Sequence, residues 1–124
     1  MRLIPIEFKA GVPVYEQVLY AARKAIVSEE LKPGDAFPSV RALSAAYQIN
    51  PNTVQKAITA LKNEGLIETV PGIGNRVRER PNGSKADRSE LLDEQLEALT
   101  VRAKQLHLTL EEVAQALRNH WKRL

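Results

Sequence analysis

Apolar residues recur along this chain with two different periods. Ile4, Ile6 and Phe8 alternate with Pro5 and Glu7, a period of two that predicts a short strand, broken at Gly11 and Pro13. Beyond that point the period lengthens. Tyr15, Val18, Leu19, Ala22, Ala25 and Ile26 fall at three- and four-residue steps, which predicts the buried stripe of a helix over about 14–30. Lys32-Pro33-Gly34-Asp35 ends it, since proline cannot continue a helix and glycine supplies a turn.

Ser39 is the next start, because its hydroxyl can cap the free amides of a helix over about 40–47. Val40, Leu43 and Tyr47 share one face of that helix. Gln48-Ile49-Asn50 reads as a tight turn. Asn50 suits the cap of a further helix, and Pro51 suits its first position, where the missing amide hydrogen costs nothing. This helix is expected to reach about residue 64, with Gly65 ending it in a left-handed conformation. Val54, Ala57, Ile58 and Leu61 form its inward stripe, and Asn52, Thr53, Gln55, Lys56 and Thr59 lie opposite. A strand over 66–70, a turn at Pro71-Gly72-Ile73-Gly74 and a returning strand over 75–78 complete a hairpin.

Pro81-Asn82-Gly83-Ser84 has the composition of a linker. A helix is expected over about 87–106, with Leu92, Leu96, Leu99, Ala103 and Leu106 at alternating four- and three-residue steps, as in a coiled-coil seam. Thr109 and Glu112 form a capping box for a last helix to about 122, lined by Val113, Ala116, Leu117 and Trp121. The expected fold is mainly α with a small β-hairpin. Residues 1–80 are expected to form a winged helix-turn-helix, a shape suited to binding DNA, and residues 81–124 a two-helix hairpin for dimerisation. Two helices of this size bury little alone, so the seam either packs on the last helix and on the first helix of the chain, or meets a second copy. A symmetric homodimer is the expectation, with the contact made by Leu92, Leu96, Leu99, Ala103, Leu106, Val113, Leu117 and Trp121.

Charge placement sharpens the division. Residues 1–80 carry 11 Lys and Arg against 8 Asp and Glu, whereas residues 81–124 carry 7 against 7. All of the net charge of +3 therefore lies in the first part, as a phosphate-binding surface requires. The chain has no cysteine, which removes disulfides, thiolate metal sites and cysteine nucleophiles and fits a reducing cytoplasm. No signal peptide and no membrane-spanning run is expected.

A helix that reads the major groove must present groups that both donate and accept hydrogen bonds. Asparagine and glutamine do so bidentately to adenine, and threonine can meet phosphate or a thymine methyl. Asn52, Thr53 and Gln55 lie at the N-terminal end of the second helix of the pair, where such helices touch bases. Lys56 could add a phosphate contact, and Arg41 could clamp the backbone or reach a guanine edge. The same residues also fit a plain solvated helix face, and the preceding helix, short turn and wing are what tip the reading toward DNA. At the wing, Gly72 and Gly74 either only permit positive φ or let bare backbone approach phosphates and the minor groove, with Asn75 and Arg76 beside them.

His107 and His120 lack acidic partners at ligand spacing, so no metal is expected, nor any cofactor. No nucleophile–base or paired-carboxylate arrangement supports an enzyme. A winged-helix module that binds protein rather than DNA is the alternative, and the polar face from Asn52 to Thr59 argues against it. The sequence identifies no effector. The roughly 40 residues after the wing leave little room for an enclosed pocket of the usual ~300 Å³ or more.

The motifs resemble those of the GntR family of bacterial transcription regulators. Tyr15-Glu16-Gln17, Pro33-Gly34-Asp35, Pro38-Ser39-Val40-Arg41, Thr53-Val54-Gln55-Lys56-Ala57, Glu64-Gly65-Leu66-Ile67 and the Gly72-Ile73-Gly74 wing stand in the family's order. The resemblance implies DNA contacts at Arg41, Asn50, Pro51, Asn52, Thr53 and Gln55 and a minor-groove approach by Gly72 or Gly74; Ser39, beside Arg41, is expected at the same DNA-binding surface. Some family members carry arginine where Pro51 and Gln55 stand here, so operator preference should differ. The short tail looks like that of the YtrA-like subfamily, which implies a dimeric repressor of double-stranded DNA operators.

Overall fold

The computed structural model describes residues 3–79 and 83–124. The expected linker positions Pro81 and Asn82 lie outside the described residues. Contacts divide the chain into two units, Met1–Arg80 and Pro81–Leu124.

The first unit contains α1 (Val14–Val27), α2 (Val40–Tyr47), α3 (Pro51–Asn63), β1 (Ile67–Val70) and β2 (Gly74–Val77). The stripes expected from periodicity meet in one core. Val18, Leu19, Ala22, Ala25 and Ile26 of α1 are buried, as are Leu43 of α2 and Val54, Ala57, Ile58 and Leu61 of α3. Ile67 and Val77 close the core from the hairpin, where they are cross-strand partners in antiparallel register. α3 packs on both α1 and α2, so its orientation is fixed by the core rather than by its own propensity.

The punctuation follows the expected chemistry. Ser39 Oγ accepts from the amide of Ala42, and Asn50 Oδ1 accepts from that of Asn52. Gln48 turns between α2 and α3 at φ +54°, a left-handed position occupied without glycine. Gly65 takes φ +77° beyond α3.

Two expectations need correction here. α1 ends at Val27 rather than at residue 30, because Glu29 adopts φ +62° and turns the chain. The amide of Leu31 then reaches the Ala25 carbonyl, and the Leu31 side chain is buried. The alternating segment Ile4–Phe8 forms no strand. Its period is real, since Ile4 is fully buried, but no strand among the described residues offers it a ladder. The segment is instead held by side chains: Tyr47 Oη donates to the Ile4 carbonyl, and the Phe8 ring meets Tyr47 edge-on at 5.8 Å.

In the second unit, α4 (Lys85–Ser89), a π-helical turn (Glu90–Gln95) and α5 (Leu96–Gln105) replace the single regular helix expected over 87–106. Ser84, expected in the linker, instead caps α4, forming a reciprocal box with Asp87. The π turn inserts a residue into the helical repeat, which apolar spacing alone does not reveal. His107 turns the chain at φ +59°, and the Thr109–Glu112 box starts α6 (Leu110–Arg123). α5 and α6 follow one another across the His107 turn, and most of their large apolar side chains are open. Leu92, Leu96, Leu99, Leu106, Leu117 and Trp121 are all exposed, Trp121 by 80%. Of the expected seam only Ala103 is buried, and Val113 is half-buried.

Candidate nucleic-acid interface

The interface is built outward from the Ser39 and Asn50 caps. Because these side chains satisfy the first turns of α2 and α3, each helix begins at a defined residue. Arg41 then stands in the first turn of α2, and Pro51, Asn52, Thr53 and Gln55 open α3. Core burial of Val54, Ala57 and Ile58 turns Asn52, Gln55, Lys56 and Thr59 outward. Thr53 is half-buried, at the edge of the face. Arg41 is exposed and has no ion pair among the described residues.

The face is partly pre-ordered. Gln55 Nε2 donates to Thr59 Oγ1 at 3.3 Å, one turn along α3, which steadies the glutamine while leaving its carbonyl oxygen open. Lys56 Nζ lies 5.6 Å from the centroid of the Tyr15 ring on α1. A cation held over an aromatic face keeps its charge and loses freedom, so Lys56 is presented at the α1 edge of the face.

The wing is sewn to the loop that precedes α2. The amide of Gly34 bonds the Val77 carbonyl, that of Val77 the Asp35 carbonyl, and that of Phe37 the Asn75 carbonyl. Asp35 Oδ2 also accepts from the amide of Lys32, which fixes the Pro33-Gly34-Asp35 turn. Phe37 is buried below. These bonds lock the hairpin to the start of α2, giving Pro33-Gly34-Asp35 a physical role. Gly72 and Gly74 take φ +76° and +126°, and no atom lies within 4 Å of where their Cβ would stand. Their tip is open backbone, as an approach to phosphate needs.

The wing side chains are less free than the sequence suggests. Asn75 Oδ1 accepts from Thr69 Oγ1 at 2.9 Å, and Asn75 is half-buried. Arg76 Nε pairs with Glu68 Oε1 at 2.7 Å, and Arg78 Nε lies 3.5 Å from Glu68 Oε2. Glu68 escapes a search for cations and amides, although its position opposite Arg76 in an antiparallel pair makes the contact readable from register. Also missed by sequence reasoning is the two-pronged pair of Arg23 on α1 with Glu64 at the end of α3, both bonds 2.8 Å. That carboxylate's hydrogen bond holds the Arg23 guanidinium above the ordinary arginine range. The pair braces the far end of α3 against α1.

Two capped helices joined by a left-handed turn, with a glycine-tipped hairpin tied to the first, form the winged helix-turn-helix arrangement. Residues 14–77 match the family described as bacterial regulatory proteins, gntR family. The chain belongs to the GntR family. It is 34% identical over 112 residues to the HTH-type transcriptional repressor YtrA of Bacillus subtilis, covering 90% of this chain and 86% of that protein. A structure described as a transcriptional antiterminator from Listeria monocytogenes superposes with a TM-score of 0.82 at 25% identity, over 96% of this chain and 90% of that one. The DNA-binding domain of AraR in complex with operator ORR3 superposes with a TM-score of 0.51 at 27% identity, over 59% of this chain and 88% of that one. The GntR match begins with α1 and ends with β2, so it contains the whole interface described above.

Proposed function

We propose that this GntR-family chain is a transcription regulator that represses by binding a two-fold symmetric operator as a homodimer. The observation that carries the reading is the outward face at the start of α3. Asn52 and Gln55 are exposed on a helix whose opposite face is locked in the core, and both can read base edges. Arg41 from α2, Thr53 and Lys56 act on phosphates, Asn50 and Pro51 set the helix start, and the Gly72–Gly74 tip approaches the backbone or minor groove. Glu68 competes with DNA for Arg76, so that arginine contributes less than an unpaired one. A repressor among its relatives and an operator complex among its structural neighbours agree with this reading. Such a regulator works in the cytoplasm.

The second unit supplies the dimer. Exposed leucines and a tryptophan on α5 and α6, left open within the protomer, form the kind of apolar surface that a second copy covers. Two copies then present two α3 helices to successive major grooves. Selection of bound duplexes from a random library tests both parts. The expected result is an inverted repeat with a fixed half-site spacing. Recovery of no sequence preference refutes operator reading, and recovery of a single unrepeated site refutes the dimer.

A further inference from the structure

In the Tyr15-Glu16-Gln17 motif, Tyr15 underlies Lys56 and Gln17 binds the chain before α1. Gln17 lies in the first turn of α1, and its amide is spent entirely on the segment before the helix. Gln17 Oε1 accepts from the Lys9 amide at 2.7 Å, while Nε2 donates to the Lys9 carbonyl at 3.1 Å and to the Val12 carbonyl at 2.8 Å. The side chain thus engages both backbone groups of Lys9, as a neighbouring strand would. This segment is exposed and lacks a ladder, so without such a latch its conformational entropy would keep it loose. Burial of Ile4 and the hold of Tyr47 on Ile4 and Phe8 anchor the segment upstream. The latch therefore fixes one residue above all, Lys9.

Four cations of the first unit are already engaged. Arg23, Arg76 and Arg78 are paired with carboxylates, and Lys56 rests on Tyr15. The Lys9 ammonium is exposed and has no partner among the described residues. The residue lines an open cleft of about 500 Å³ together with Gln48, Asn50 and Thr53, the turn and first residues of α3. Lys9 and Arg41 are thus unpaired cations associated with the two elements that flank the start of the recognition helix.

We propose that Lys9 is a DNA-backbone contact and that Gln17 is the positioning residue that holds it there. This rests on the DNA-binding reading above and extends the interface to a segment before α1. A phosphate held by Lys9 would lie at the cleft that Asn50 and Thr53 also line. It would fix the approach of α3 without reading sequence.

The test is a double-mutant cycle on the full chain, with a duplex selected from a random library and a scrambled duplex of equal length, titrated over a range of salt. Lys9→Gln should weaken both duplexes by a similar factor, about three- to tenfold, and lower the salt slope by about 0.9 per bound protomer. Lys9→Arg should restore both. Gln17→Ala should weaken binding with Lys9 present and have little further effect in the Lys9→Gln background. Unchanged affinity and slope for Lys9→Gln would overturn the contact. Equal losses for Gln17→Ala in both backgrounds would overturn the positioning role and leave Gln17 as a support for α1. If the parent chain binds neither duplex, the DNA-binding reading fails together with this one.

Discussion

Trp121→Ala isolates the dimer from the fold. Trp121 is 80% exposed within the protomer, so its removal opens no cavity there, and alanine suits the helix interior. A tryptophan side chain carries about 150–250 Å² of surface. Covering the open four-fifths removes about 160 Å² from water, worth about 4 kcal/mol at ~25 cal/mol/Å². A two-fold interface contains the residue twice, which sets a ceiling of about 8 kcal/mol. The cost of ordering the tryptophan side chain and the contact that alanine keeps reduce this to about half. A loss of ~4 kcal/mol raises the dimer dissociation constant about a thousandfold. Sedimentation equilibrium measures it directly, with a thermal melt of the dilute protein confirming that the monomer is intact. A parent that is monomeric at micromolar concentration, or a variant that dimerises as tightly as the parent, would refute the argument that the open α5 and α6 faces pair copies.

Other consequences concern the brace and the wing. Glu64→Gln should cost about 0.2–1 kcal/mol in urea unfolding, the range for a part-exposed pair, discounted for solvent screening. Since Glu64 raises the Arg23 pKa in the folded state, that arginine's contribution is complete below its unfolded value and lost only as pH climbs past the raised one. Stability from this arginine should therefore be flat between about pH 6 and pH 9, and a slope that disappears in Arg23→Ala would contradict the assignment. Gly72→Ala meets no neighbouring atom, so only the positive φ opposes it, at about 1 kcal/mol in the same assay. A cost of several kcal/mol would mean that the wing tip is packed rather than open.

Much of the DNA-binding unit was legible because each helix combines a strong period with an explicit cap. Ser39, Asn50-Pro51 and Gly65 mark ends that the structure places within a residue or two of expectation. What escaped lay in single backbone turns and in partners distant in the chain. Glu29 takes a left-handed turn that glycine usually marks, and nothing local announces it. Ile4 and Phe8 alternate as a strand would, yet both are held by Tyr47, some forty residues along the chain. The π turn in the second unit shifts the helical repeat without leaving a proline or glycine behind. At the candidate interface, residue types pointed to the α3 face, whereas the occupancy of Arg76 by Glu68 and of Asn75 by Thr69 required the hairpin register.

The central claim is that the start of α3 reads bases, with Gln55 among the readers. Its most direct test is a base-pair substitution scan across the selected operator, comparing the parent with Gln55→Ala by fluorescence anisotropy at fixed salt. The account predicts that the parent loses affinity at specific base pairs, repeated in both half-sites. In Gln55→Ala, one of those positions should become indifferent to sequence, for a loss of about 1–3 kcal/mol per half-site. An unchanged profile in the variant, or a uniform loss at every position, would contradict base reading by Gln55.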